Sequence, residues 1–377
     1  MLSVKQTARI ISTYTGDTSG VCSALFELGG MTVMHDPSGC NSTYNTHDEP
    51  RWYDNDSLVF ISALTETQAI MGDDDKLFRD TLEAARDLNP QFIALAGSPI
   101  PSLIGTDFEA LAYRLEHELS ISCFGFSTDG MHSYISGASM AFSALAEKIS
   151  EECPKTEELS VNILGVTPLD FSVTGNVEEI EGTLEQNGIR INGCWAMGGT
   201  IDDIKRASAA HVNLVVSSCG LAAARVLQRR FGTPFVIGCP CGKFTEKIIN
   251  AIKALENINL CIPTGGDTVI IGESVTACSL ANALELEGIG ARVISAVETD
   301  AALLSETCVH AVDEDEIIPL ILDAKTVIAD PLYRPIVPET ARFVSLPHEA
   351  FSGRIYRKEI PRLITQFNEF VKEIKND

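Results

Sequence analysis

The chain holds no uninterrupted apolar run approaching the roughly 18 residues that a membrane-spanning helix needs. Its first stretch, MLSVKQTARIISTYTGDTSG, lacks the basic-then-apolar layout of a secretory signal, so the expected location is the cytoplasm. Basic residues are scarce: 28 Lys and Arg stand against 52 Asp and Glu, a formal charge of −24. Such a surface repels phosphate backbones and anionic lipid, which argues against nucleic-acid and membrane partners. Familiar signatures are missing as well. Without G-x-x-x-x-G-K-[ST] the chain has no P-loop of its own for ATP; Gly238-Cys239-Pro240-Cys241-Gly242-Lys243-Phe244 echoes one but lacks the spacing and the hydroxyl. No G-x-G-x-x-G follows a strand, there is no H-E-x-x-H or C-x-x-C, and no G-x-S-x-G elbow occurs. Dehydrogenase, zinc-enzyme and hydrolase readings fall away together.

What is present is a globular balance, 45% apolar and 21% charged, over a 377-residue length that suggests two or three domains. Short β-branched runs recur: LVFISAL from Leu58, QFIALAG from Gln91, ISCFGF from Ile121, VNILGV from Val161, VNLVVSS from Val212 and PFVIG from Pro234. TVIIG from Thr268, ARVISAV from Ala291, TVIAD from Thr326 and RFVSL from Arg342 continue the series. They are apolar on both faces, as strands of a parallel sheet covered by helices must be. Between them lie helical stretches such as DDKLFRDTLEAARDLNP and LAAARVLQRRFGTP with Gly or Pro stops. The alternation predicts an α/β protein of doubly wound, Rossmann-like parallel sheets. Polar Glu151–Ser160 with Pro154, and the Ile262–Gly266 turn, divide it into three expected domains, 1–155, 156–265 and 266–377, around a central cleft.

In such sheets ligands sit beyond the carboxyl ends of strands. Cys40, Ser98, Cys219, Cys239, Cys241 and His348 all follow strands and are the candidate site residues. Eleven cysteines at irregular spacing do not form a disulfide framework, and most are expected as small buried residues. Two stand apart. Cys22 falls at the expected start of a short helix after Thr18-Ser19-Gly20, where the helix dipole favours a thiolate. Cys40 ends a tight Asp-Pro-Ser-Gly turn after the Met31–His35 strand, and Gly39 there would let backbone amides approach an anionic cluster. His35 and Asp36 are read as support for that turn.

CSALFELGGMTVMHDPSGC, the Ser62–Gly72 segment with its T-E pair, and Ile104-Gly105-Thr106-Asp107 together resemble the first domain of the nitrogenase component 1 family. AHVNLVVSSCGLAAARVLQRRFGTPFVIGCPCGKFTEKI resembles its second domain, TVIIGESVTACSLANALELEGIGARVI the opening of the third, and RFVSLPHEAFSGRIY the late strand and loop that carries a cofactor-ligating histidine in catalytic subunits. There are departures. Ser98 stands near the place of a third cluster cysteine, and Ser217, with Cys219 two residues on, near that of the cofactor cysteine. The resemblance implies a 4Fe–4S cluster on Cys22 and Cys40, shared across a homodimer as in the simpler members or across a heterodimer with a related chain, since two thiolates are half a ligand set. It further implies a separate ATP-dependent iron protein, similar to nitrogenase reductase, as electron donor. Cys239 and Cys219 would face a second cofactor or substrate in the cleft, and Cys241 and His348 would act in catalysis there. Dinitrogen, a tetrapyrrole or a small sulfur compound are the substrate types in view. A cofactor-assembly scaffold and a cluster-free ligand- or metal-binding protein of the same fold are the alternatives.

Overall fold

The computed structural model describes residues 8–11, 15–37, 39, 44 and 49–375. Cys40 lies outside them. Among the described residues three sheets follow one another along the chain, and every pairing of their fourteen strands is parallel. The first has β1 (Met31–Met34), β2 (Leu58–Ile61), β3 (Phe92–Ala96) and β4 (Ser122–Phe126) in the order β2-β1-β3-β4. Its helices are α1 (Asp17–Leu25), α2 (Glu66–Met71), α3 (Asp74–Leu88), α4 (Pro99–Ile104), α5 (Phe108–Leu119) and α6 (Tyr134–Lys148). The central strands β1 and β3 are buried along their whole length, as apolar runs on both faces require. α3 shows how the sequence starts and stops a helix. Asp73 caps it through the Lys76 N–H, Leu77, Thr81 and Ala85 form the buried stripe, and Asn89 closes it in the left-handed region.

The second sheet has β5 (Ser160–Val166), β6 (Arg190–Ala196), β7 (Val212–Val215), β8 (Phe235–Ile237) and β9 (Ile258–Asn259), ordered β6-β5-β7-β8-β9. It carries α7 (Pro168–Phe171), α8 (Asn176–Gln186), α9 (Ile201–Lys205), α10 (Leu221–Phe231) and α11 (Phe244–Ala254). The third has β10 (Thr268–Gly272), β11 (Ala291–Ser295), β12 (Cys308–His310), β13 (Thr326–Ala329) and β14 (Arg342–Ser345), ordered β12-β11-β10-β13-β14. With it come α12 (Ser274–Glu285), α13 (Glu314–Ile321), α14 (Glu349–Ser352) and the closing α15 (Phe367–Lys375). Among the described residues no helix is long and apolar enough to cross a membrane.

Burial ties the three sheets together. One apolar core runs from α1 and α6 through the second and third sheets, while a separate cluster fills the other face of the first sheet. α1 and α6 meet backbone to backbone. A Cβ on Gly137 of α6 would stand 1.8 Å from the Asp17 carbonyl oxygen, and one on Gly20 of α1 would stand 2.1 Å from that of Tyr134. Only glycine permits that approach. Across the first and second sheets, Arg51 forms a buried ion pair with Glu49 at 2.7 Å and donates to the Ala196 carbonyl at the end of β6.

Candidate site at the strand ends

The helix bearing Cys22 begins at Asp17, earlier than the turn residues suggested. Thr18, Ser19 and Gly20 belong to its first turn, and Asp17 accepts from the Thr18, Asp129 and Gly130 N–H groups. Cys22 is therefore mid-helix, beyond the free N–H groups, and the dipole argument for a thiolate does not apply to it. Its side chain is fully buried among Phe26, Met34, Tyr44 and Val59. Burial, and secondarily the Glu49 carboxylate, push the thiol well above its ordinary value. Met34 ends β1 and Ile61 ends β2, so this thiol lies at the carboxyl edge of the first sheet, on the side from which the chain continues to Gly39. Gly39 is exposed, and a Cβ there would meet nothing within 4 Å.

In position and donor type Cys22 fits an iron ligand, and metal binding would have to displace its proton. Among the described residues no group of three or more His, Cys, Asp or Glu could hold a metal ion, so a complete ligand set needs residues beyond them. Ser98 does not add one. It is the residue that immediately precedes α4, fully buried, and its hydroxyl donates to the His35 carbonyl at 2.9 Å. His35 is buried, its Nδ1 2.7 Å from the Ser62 hydroxyl, and burial holds its pKa below the ordinary value.

The second place is a cavity of about 100 Å³ where the second and third sheets meet. Chain segments leaving β5, β8, β10 and β14 supply its polar lining: Asp170, Cys239, Cys241, Glu273 and His348. Phe171, Leu280, Leu346 and Phe351 are among the apolar walls. Both thiols are buried and pushed upward, Cys239 by burial first and then by the neighbouring Cys241. The Cys239 N–H donates to the Ser279 hydroxyl at 2.8 Å, and the Gly242 N–H to the Leu363 carbonyl at 3.0 Å, which fix the Cys-Pro-Cys loop at both ends. Cys219 does not line the cavity. It is fully buried in the short helical turn at 218–220, its sulfur 3.4 Å from the Ser217 hydroxyl and 3.7 Å from the Gly165 carbonyl oxygen.

His348 caps α14: its Nδ1 accepts the Ala350 N–H at 3.3 Å, and its ring stacks on Phe351 with centroids 4.4 Å apart. Nε2 stands 3.4 Å from Asp170 Oδ1, which also accepts the Tyr134 hydroxyl. With Nδ1 accepting, the ring proton belongs on Nε2. The side facing Asp170 thus presents a donor, not a lone pair. A metal bond through Nε2 does not fit this arrangement. Glu273 caps α12, fully buried, and accepts the Ser218, Val275 and Thr276 N–H groups; burial raises its pKa.

Asp170, Tyr134 and Glu273 escaped the sequence reading. Asp170 carried one usable signal, a carboxylate beside Pro168 just past the end of β5. Tyr134 comes from α6, and packing of that helix against α1 and against α10 and β5 of the second sheet brings it to Asp170.

The family model for nitrogenase component 1 type oxidoreductase matches residues 20–264. The chain belongs to that family. A light-independent protochlorophyllide reductase subunit from Prosthecochloris aestuarii (strain DSM 271 / SK 413) is 26% identical over 216 residues, 56% of this chain and 40% of that protein. The nitrogenase iron-molybdenum cofactor biosynthesis protein NifE from Mesorhizobium japonicum (strain LMG 29417 / CECT 9101 / MAFF 303099) is 26% identical over 223 residues, 58% of this chain and 43% of that protein. The matches thus span less than half of either relative's length. A solved structure of nitrogenase Cp1 at pH 6.5 superposes with a TM-score of 0.73, covering 100% of this chain and 94% of that one at 16% identity. This family member therefore has the component 1 fold, three parallel sheets included.

Proposed function

We propose that this chain is the substrate-reducing component of a two-component, ATP-dependent reductase. Cys22, together with Cys40 and the Gly39 turn, would hold half of a 4Fe–4S cluster at the carboxyl edge of the first sheet. The other half would come from a second copy or a related chain. When bound, that cluster supplies single electrons received from a separate iron protein that hydrolyses ATP. The junction cavity would take the substrate. Its largely apolar walls exclude water, the Cys-Pro-Cys loop and His348 face the bound molecule, and Asp170 orients the imidazole.

One observation carries the reading. The helix that bears Cys22 packs backbone to backbone on α6, whose first residue, Tyr134, hydrogen-bonds Asp170 at the cavity. A single rigid contact thus links the two places. The protochlorophyllide reductase relative favours reduction as the activity. The cofactor-biosynthesis relative favours a second reading, a scaffold that builds a metal cofactor and hands it on.

Iron and acid-labile sulfide per chain, measured after anaerobic purification of wild type and Cys22→Ser/Cys40→Ser, test the proposal. About two irons per chain, lost in the double variant, is the expected result for a cluster shared by two copies. An iron-free wild type, even after reconstitution, overturns it. Transfer of the metal to an acceptor without substrate turnover would select the scaffold.

A further inference from the structure

The first sheet has a second cavity, of about 190 Å³, on the face away from Cys22. Met31, Val33 and His35 alternate toward that face, whereas Met34 points to the Cys22 side, so the sheet itself separates the two places. α3 turns Leu77, Thr81 and Ala84 toward the cavity at helical spacing. Thr81 and Ala84 are short, and the space between them and Phe60 of the edge strand β2 stays open.

Two polar groups in the cavity wall have nothing to bond. His35 is 4% exposed and Thr81 3%, and both line the cavity. His35 spends Nδ1 on the Ser62 hydroxyl, whereas Nε2 and the Thr81 hydroxyl have no partner among the described residues. Neither atom is sealed off as Asp170 Oδ2 and His348 Nε2 are, so a molecule in the cavity reaches both. Polar groups this deep call for an occupant. Between them and the mouth stand apolar walls, Val33, Phe60, Leu64 and Leu77. The mouth itself is acidic: Asp73 and Asp80 face Lys76 alone, and the Lys76 ammonium pairs with Asp80. The start of α3 adds about half a positive charge, which Asp74 and Asp75 in its first turn outweigh.

We propose that this cavity is a second ligand site, for a small aromatic amine whose ring bears a hydroxyl. The hydroxyl meets His35 Nε2 and Thr81; because it both donates and accepts, it suits either tautomer of the imidazole. The ring packs against Phe60, Val33 and Leu77, and the ammonium stands at the Asp73 and Asp80 carboxylates. A cavity of ~150 Å³ admits benzene, so the larger volume here takes a ring with a short side chain. An anion of the same shape meets two carboxylates instead and is turned away.

Titration calorimetry on the full chain tests this with tyramine as the probe. Phenethylamine lacks the hydroxyl, and 4-hydroxyphenylacetate replaces the positive charge by a negative one. Tyramine should bind one per chain, and loss of the hydroxyl contact, through phenethylamine or through Thr81→Val, should each weaken binding about fivefold. Thr81→Val should leave phenethylamine binding unchanged, since that probe has no hydroxyl to lose. The anion should bind at least about tenfold more weakly than tyramine, and Ala84→Leu, which fills the cavity, should abolish binding of all three. No tyramine binding, equal binding of the anion, or indifference to Ala84→Leu overturns the proposal. Should Ala84→Leu fail to fold, the ranking of the three probes on wild type and Thr81→Val still decides. None of these readouts needs iron or a reductase, so their failure leaves the redox reading untouched.

Discussion

Gly137→Ala should destabilise this protein, while Gly182→Ala, the same chemical change in another helix, should stabilise it. Both glycines are helical, and exchanging a mid-helix glycine for alanine is by itself worth about 1 kcal/mol in favour of the helix. At Gly182 of α8 the new methyl would meet nothing within 4 Å, so the full gain should appear. At Gly137 the methyl would sit 1.8 Å from the Asp17 carbonyl oxygen and 2.6 Å from its carbon, where real Cβ contacts essentially never fall below 3.0 Å. Backbone must therefore retreat by about 1.2 Å, the gap between those two limits, with no flexible side chain to absorb it. Overpacking of that kind costs about 1–3 kcal/mol, and a contact between two main chains belongs at the upper end. The net loss should be about 2 kcal/mol, or roughly a 1 M fall in urea midpoint for an m-value near 2 kcal/mol/M. Equilibrium unfolding followed by far-UV circular dichroism measures it. A Gly137→Ala protein as stable as Gly182→Ala would refute the claim that α1 and α6 touch main chain to main chain, and with it the rigid link between Cys22 and the cavity.

Acid should loosen the first sheet through His35. Its folded pKa is depressed, chiefly by burial, so between that value and the ordinary one near 6.5 the unfolded chain carries the extra proton. Stability is then full above about pH 6.5 and drains as pH falls through that window; His35→Asn should lose less between pH 7.5 and 5.5 in urea titrations, and an unchanged slope would refute this assignment. Arg51→Met strands the Glu49 carboxylate, which is fully buried, and should cost about 3–5 kcal/mol in the same assay. Adding Glu49→Gln should recover a large part of that loss; no recovery would mean that Arg51 acts through packing alone. Iron loading of the anaerobic protein should release protons and weaken as pH falls, because Cys22 starts as a thiol held above its ordinary pKa. A pH-independent iron affinity would count against Cys22 as a ligand.

The central strands could be read from the sequence because burial on both faces writes them as continuous apolar runs, as in Phe92–Ala96 and Val269–Ile271. β6, β9 and β12 could not. Each is the outermost strand of its sheet, and edge strands need neither length nor apolarity on both faces. β6 even carries Asn192 and Gly193, while β9 has only two residues. The site divided along similar lines. Cys239, Cys241 and His348 announced themselves by following strands, and the structure brings them to one cavity. Ser98 and Cys219 carried the same signal, yet their side chains are spent on the His35 carbonyl and on the Ser217 and Gly165 neighbours. Position after a strand marks the correct edge of a sheet, but the local turn decides which way a side chain points. Asp170 and Tyr134 matter through a contact between distant segments, which no local pattern encodes.

Parallel strands give this molecule two unlike edges. The Cys-Pro-Cys loop, Asp170, Glu273 and His348 all leave carboxyl ends, whereas the turns that enter β6, β8 and β11 lie at the amino ends and contain Gly188, Gly232 and Gly288. At all three a Cβ would meet only open space, and their positive φ marks them as bare reversals of the chain. Fluorophores, affinity handles or whole inserted domains can be attached at Gly188 and Gly232, with the cavity at the far end of the second sheet, whereas the turn at Gly288 is unsuitable because Glu287 pairs with Lys243, two residues from Cys241. The fold thus separates the face that holds the candidate site from a face for handling, and surface-tethered measurements on this protein should be anchored by the second.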